Sequence, residues 1–369
     1  GAGRHLRDSF LGPLMEQRRA RTSLTVRQGS SLILLACWVA MGGMNLLEVV
    51  SLELAASAVG TAIAFVTLRR HLRGLLTQPA HAGWSTPRLP AMRRLAMQMY
   101  GAHLLSLTYS PQAFVLLIQR HLGAEAAALL GFLRSLYDTA ARYLPATLLF
   151  SLIRPKLVAS YVAGGGIAEL TAQANLMGKL SLLVLMPAVV IAATDGNTII
   201  AVLSGWRFAD SGWLLCGMMI GLIPLSQRLL VETVAVTLDR SGLCTIASAS
   251  GVLMLPLMLW LLGMDWGVWA AVVTMVLGQW LFNAIVLGGL ALGSAYRADV
   301  AGAMKLFAAA LVGYGATLLR FGFEPRWLDF SVRAVAIAAL YGLAAWLLQV
   351  FSAAERSRIA QLSRRRANA

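Results

Sequence analysis

Charge is scarce in this chain. Only 13% of its 369 residues are Asp, Glu, Lys or Arg, against about a quarter in an ordinary soluble domain. So little charge cannot cover a water-exposed surface, which excludes a soluble globular fold. Acidic residues are the scarcest, with 16 Asp and Glu against 31 Lys and Arg, for a formal net charge of +15. A nucleic-acid binder would gather its basic residues on one folded polar face. Here they separate apolar runs: Arg18, Arg19 and Arg21, then Arg69, Arg70, Arg73, Arg93 and Arg94, and finally Arg364, Arg365 and Arg366. That pattern excludes nucleic acid as a partner and marks cytoplasmic loops and tails.

Cysteine is also sparse. Cys37, Cys216 and Cys244 fall in or beside apolar runs at no ligand-like spacing, so neither a disulfide framework nor a zinc site is indicated. The chain lacks a nucleotide-binding glycine motif, a cluster of His and carboxylates at metal spacing, and a nucleophile with an accompanying base. No catalytic residue, cofactor or metal is expected, and any pumping must draw on an ion gradient, the membrane potential or the substrate gradient. Gly164, Gly165 and Gly166 follow no strand and read as a flexible linker. The chain opens Gly1-Ala2-Gly3-Arg4 with no initiator Met and no signal-peptide order, so the natural protein is expected to begin upstream.

What the sequence does contain is apolar length, with 58% hydrophobic residues and a mean hydropathy of +0.71. Stretches long enough to cross about 30 Å of hydrocarbon fall at 30–47, 50–68, 95–119, 125–150, 175–193, 213–237, 242–262, 266–290, 301–320 and 330–351. The fold class expected is an all-α integral membrane protein of about ten transmembrane helices. Three regions are expected: 1–94 with two spans and a basic cytoplasmic linker, 95–351 with eight spans, and 352–369 as a basic cytoplasmic tail. Alternate threading puts the loops around Arg73, Arg154, Arg240 and Arg297 on the side of both termini, leaving Arg120, Arg207, Arg320 and Arg326 on the other. Retention of Lys and Arg on the cytoplasmic face then places both termini in the cytoplasm, with Trp213, Trp266 and Trp327 near the outer boundary.

The span 125–150 is the informative one, because Arg134, Asp138 and Arg142 recur at i, i+4 and i+8 on one helical face. At about 1.5 Å per residue, a chain entering near Glu125 reaches Arg134 after roughly 13 Å and Asp138 after roughly 20 Å, near the bilayer centre. Each such charge costs about 2.5–3.5 kcal/mol on the insertion scale. Lipid exposure is therefore untenable, and a hydrated interior is expected. In the plainest reading Asp138 pairs with both arginines and pins the helix to a neighbour. One carboxylate cannot neutralise two guanidinium groups, however, and the surplus suits a phosphate-bearing anion. The span 95–119 carries His103, Ser106, Tyr109, Ser110 and Gln112 around Pro111. A proline there bends the helix, and discontinuous helices line transporter sites, so Tyr109 and Gln112 join the substrate-binding candidates. Pro187, Pro224 and Pro256 are expected to break three more helices. Lys179, Lys305 and Arg333 read as snorkelling side chains, Arg228 and Glu232 as a pair one turn apart, His103 as a satisfied interior histidine, and Gln279 with Asn283 as helix glue.

Three stretches carry a likeness to a known family. "RSLYDTAARYLPATLLFSLIRPKLVASYVAGG" at 134–165 resembles a helix running from a central cavity into a cytoplasmic loop with a proline, here Pro155. "VLSGWRFADSGWLL" at 202–215 is similar to an outer loop with glycine and phenylalanine, here Gly205 and Phe208. "LDRSGLCTIAS" at 238–248 with "GMDWGVWAAVVTMVLGQ" at 263–279 resembles the later basic turn, helix and outer turn. The pattern resembles oligosaccharide flippases of the polysaccharide transporter family, within the multidrug, oligosaccharidyl-lipid and polysaccharide exporter superfamily. The family has two lobes and more helices than are read here. The resemblance therefore implies a complete second lobe, opened by the span 95–119, and a partial first lobe from an N-terminally truncated chain.

It further implies a flippase moving polyprenyl-pyrophosphate-linked oligosaccharide from the inner to the outer leaflet of the bacterial cytoplasmic (inner) membrane for surface polysaccharide biosynthesis. Its partners would be the lipid-linked oligosaccharide, membrane lipids and a coupling cation, H+ or Na+. Arg134 and Arg142 would contact the pyrophosphate, with Asp138 orienting them or sensing the cation. Two alternatives stay open. A cation-coupled multidrug exporter would need an acidic cavity. A membrane-embedded polysaccharide polymerase or ligase would need reactive residues and a sizeable loop on the outer face.

Overall fold

In the computed structural model the chain divides into two compact units, Gly1–Pro87 with Ser151–Pro155, and Arg88–Phe150 with Lys156–Ala369. The structure describes residues 89–148, 166–294, 296–316 and 326–357, with scattered positions between 29 and 73 and between 157 and 164. The spans expected at 30–47 and 50–68, Pro155 and the triple arginine at 364–366 lie outside the continuously described residues.

The described residues of the second unit form helices and turns, with no strand among them. In order they are α1 Leu89–Thr108, α2 Pro111–Leu122, α3 Ala124–Tyr143, the single turn α4 Pro145–Leu148, α5 Gly166–Leu203, α6 Gly212–Thr237, α7 Ser241–Gly251, α8 Met254–Gly263, α9 Trp269–Gly293, α10 Val300–Gly315 and α11 Arg326–Leu347. Among the described residues six helical stretches are long and apolar enough to cross a membrane: Ala96–Leu122, Gly166–Leu203, Gly212–Thr237, Ser241–Gly263, Trp269–Gly293 and Asp329–Leu347. Among the described residues this is an all-α, multi-pass arrangement, in which each helix satisfies its own backbone where no water can do so.

Several expectations about helix ends are corrected. Gly166 begins the 38-residue α5 rather than sitting in a linker. Pro187 and Pro224 lie inside unbroken helices, since one lost backbone bond bends a packed membrane helix without ending it. The stretch read as 125–150 stops at Tyr143, where Leu144 turns extended (φ −63°, ψ 137°) ahead of Pro145, the conformation a following proline imposes.

Two apolar cores share α3 and α9. In one, Leu133 and Tyr137 of α3 pack with Leu185 of α5, Leu222 of α6, Leu306 of α10 and Ile337 of α11. In the other, Leu130 of α3 meets Phe114 and Ile118 of α2, Met258 of α8 and Ala271 of α9. Small residues set the closest approaches, as membrane packing favours. A Cβ on Gly196 of α5 would stand 2.8 Å from the Gly212 carbonyl oxygen at the start of α6, where Asn197 Oδ1 accepts the Gly212 N–H at 2.7 Å.

Candidate functional site

The site begins with a broken helix. At the end of α1 the hydroxyls of Ser106 and Thr108 donate to the carbonyls of His103 and Leu105, each at 2.7 Å, turning local backbone acceptors away from the helical ladder. Ser110 is extended at φ −65° and ψ 155°, and Pro111 opens α2 at its first position, where its missing N–H costs nothing. Tyr109 and Ser110 therefore stand in an interruption of the membrane helix. His103 is exposed rather than interior.

A cavity of about 520 Å³ adjoins this break, lined by Tyr109, Ser110 and Gln112, by Arg134, Tyr137 and Asp138 of α3, by Arg228 of α6 and by Gln279 of α9, among others. That volume lies in the range of about 300–1,000 Å³ that holds small ligands. Gly221 lets α6 approach its neighbours, because a Cβ there would lie 3.0 Å from Val276 and 3.6 Å from the Tyr137 ring.

Within the cavity Arg134 Nε donates to Asp138 Oδ2 at 3.1 Å, and its guanidinium carbon lies 5.0 Å from the Tyr137 ring centroid. The terminal nitrogens of Arg134 have no partner among the described residues. Asp138 is 46% exposed and Arg134 25% exposed, so the pair is not sealed inside the protein. Four of the residues singled out from sequence, Tyr109, Gln112, Arg134 and Asp138, are thus brought to one cavity. Arg142 is not: it is exposed in the last turn of α3, outside the lining, and among the described residues no ion pair joins it to Asp138.

Arg228 corrects another expectation. It does not pair with Glu232; its Nη1 donates to Gln279 Oε1 at 3.1 Å and its guanidinium sits 3.9 Å over the Phe282 ring. The neighbouring Asn283 donates to the Pro224 carbonyl at 2.6 Å, so α6 and α9 are joined twice. Only the i, i+4 spacing of Arg228 and Glu232 was visible in sequence. The partners on α9 lie about fifty positions away along the chain and left no local signal.

Two further cations expected to snorkel are buried or paired. Lys179, at 7% side-chain exposure, bridges Asp299 at 2.5 Å and Glu355 at 2.9 Å. Glu355 also accepts the Ser352 N–H at 2.8 Å while Ser352 Oγ accepts the Glu355 N–H at 3.2 Å, a reciprocal cap. Asp299 caps α10 by accepting the Gly302 N–H at 2.8 Å. Burial alone would raise the Asp299 carboxyl, but the hydrogen bonds from Lys179 and Gly302 and the charges of Lys179 and Lys305 outweigh it and hold its pKa below the ordinary value. Arg333 pairs with Asp195 of α5 at 3.1 Å and with Asp329 one turn back on α11. Lys305 remains exposed, reaching the Gln349 carbonyl at 3.4 Å. Among the described residues no group of three or more His, Cys, Asp or Glu is placed to hold a metal ion.

No known protein family, curated protein or solved structure matches the chain.

Proposed function

We propose that this protein is a membrane flippase that moves an anionic, polyprenyl-pyrophosphate-linked oligosaccharide from the inner to the outer leaflet of the bacterial cytoplasmic membrane, for surface polysaccharide biosynthesis. On this reading it spans the membrane about ten times with both termini in the cytoplasm. The span 95–119 opens a complete second lobe, and the first lobe is partial. It is a transporter, not an enzyme.

The observation that carries the reading is the charge of the cavity wall, where Arg134 and Arg228 face a single carboxylate, Asp138. Intramembrane cations are costly to retain and mark the path of a substrate or ion. The open donor fork of Arg134 matches two oxygens of one phosphoryl group. The broken α1–α2 wall supplies Tyr109 and Gln112 alongside, in keeping with discontinuous helices at transporter sites. A drug exporter selecting cations would want the opposite sign of charge.

The test is Arg134→Ala in a bacterial strain whose surface polysaccharide depends on this protein. Surface polysaccharide should be lost while protein level and membrane insertion stay normal, and lipid-linked single repeat units should accumulate inside. Unchanged export would overturn the reading, and accumulation of long polymerised chains would favour a ligase instead.

A further inference from the structure

We propose that Arg228, held by Gln279 and Phe282, is the second phosphate ligand of the cavity and makes it select a diphosphate over a monophosphate. This rests on the reading of the cavity as a phosphate path.

Arg228 is fixed in an unusual way for a membrane cation. Its guanidinium lies 3.9 Å from the centroid of Phe282, a ring 2% exposed, and Nη1 is taken by Gln279 Oε1 at 3.1 Å. Stacking on a ring face attracts the cation without neutralising it. It also leaves the in-plane donors pointing outward from the stack. Among the described residues, only Nη1 of these has a partner and no carboxylate lies within ion-pairing distance. A lysine could not be held this way, because it has neither the plane nor the fork.

Arg134 faces the same cavity from α3 with its terminal nitrogens open. Tyr137 lines the cavity with both arginines, its ring centroid 5.0 Å from the Arg134 guanidinium carbon, so the two charges border one space. Two forks on two helices, set against one carboxylate, leave a surplus positive charge divided between two points. A diphosphate has a phosphoryl group for each fork. A monophosphate can satisfy one and leaves the other unpaired. Arg228 is therefore the residue that distinguishes the two headgroups, while Gln279 and Phe282 position it.

The test uses the full chain in lipid nanodiscs, titrated with geranylgeranyl pyrophosphate and geranylgeranyl monophosphate. Wild type should bind the diphosphate roughly tenfold or more tightly than the monophosphate, the size of one charge-assisted contact. Arg228→Ala should lose that preference with little change for the monophosphate, and Arg228→Lys should not restore it. Arg228→Gln, which keeps the stem to Cδ and a polar, uncharged end, guards against misfolding and should behave like the alanine variant. Retention of the preference in a folded Arg228 variant, or equal binding of both probes by wild type, overturns this proposal alone. Failure of wild type to bind either probe overturns the phosphate reading of the cavity as well.

Discussion

Tyr109, in the interruption between α1 and α2, fills the space beside Gly251, the last residue of α7 before its own interruption from α8; a Cβ on Gly251 would stand 2.7 Å from Cε1 and 2.8 Å from the hydroxyl oxygen. Two broken helices thus meet at their breaks. On one side α1 is tied to α7 by Ser241 Oγ donating to Gln98 Oε1 at 2.6 Å and Thr245 Oγ1 to the Gln98 carbonyl at 3.1 Å. On the other, Phe114 and Ile118 of α2 pack with Met254 and Met258 of α8.

Gly251→Ala should therefore overpack the contact and lower stability by about 1–3 kcal/mol. Thermal unfolding in detergent reads the loss, and adding Tyr109→Ala should return most of it, because the two substitutions share one space. A Gly251→Ala protein as stable as wild type would show that the breaks do not meet in this way.

The pair between Arg333 and Asp195 gives a second expectation. Asp195 is 8% exposed and Arg333 29% exposed, so Arg333→Ala strands a nearly buried carboxylate. Removing one partner of a buried pair costs about 3–5 kcal/mol, and the partial exposure of Arg333 puts this case at the lower end. Asp195→Asn in the same background should recover stability, whereas an additive further loss would mean that the two groups act independently.

Acid should weaken the anchorage of α10. The Asp299 carboxyl has its pKa lowered in the fold, so its contribution is present above the unfolded value of about 3.9 and is lost as pH falls through the lower, folded value. Asp299→Asn should unfold at a lower temperature than wild type near neutral pH, and the gap should close progressively below about pH 4. A gap that is constant with pH would remove the carboxylate from the explanation.

Arg142 offers a control. It lies outside the cavity lining and is exposed, so Arg142→Ala should change diphosphate affinity by less than about threefold, whereas Arg134→Ala should weaken it by roughly tenfold or more. Equal losses in the two variants would extend the phosphate path along α3 beyond the cavity.

Sequence spacing alone brought Arg134 and Asp138 to one face, because i and i+4 on a helix are neighbours whatever surrounds them. The break at Pro111 was equally legible, since a proline restricts the residue before it. The same rule misled at Pro187 and Pro224, both of which sit in continuous helices. Whether a proline bends or ends a helix depends on what packs around it.

By itself the sequence determined the helical, multi-pass character of the described residues and the positions of the six long apolar helices among them. A helix in lipid satisfies its own backbone hydrogen bonds and buries its own apolar side chains, so its signal lies within its own residues. Only the tertiary structure decided where the charges go: Lys179 to Asp299 and Glu355, Arg333 to Asp195, and Arg228 to Phe282 and Gln279. A charge withdrawn from water must find its partner wherever the packing of distant helices provides one, and that choice leaves no periodicity to read.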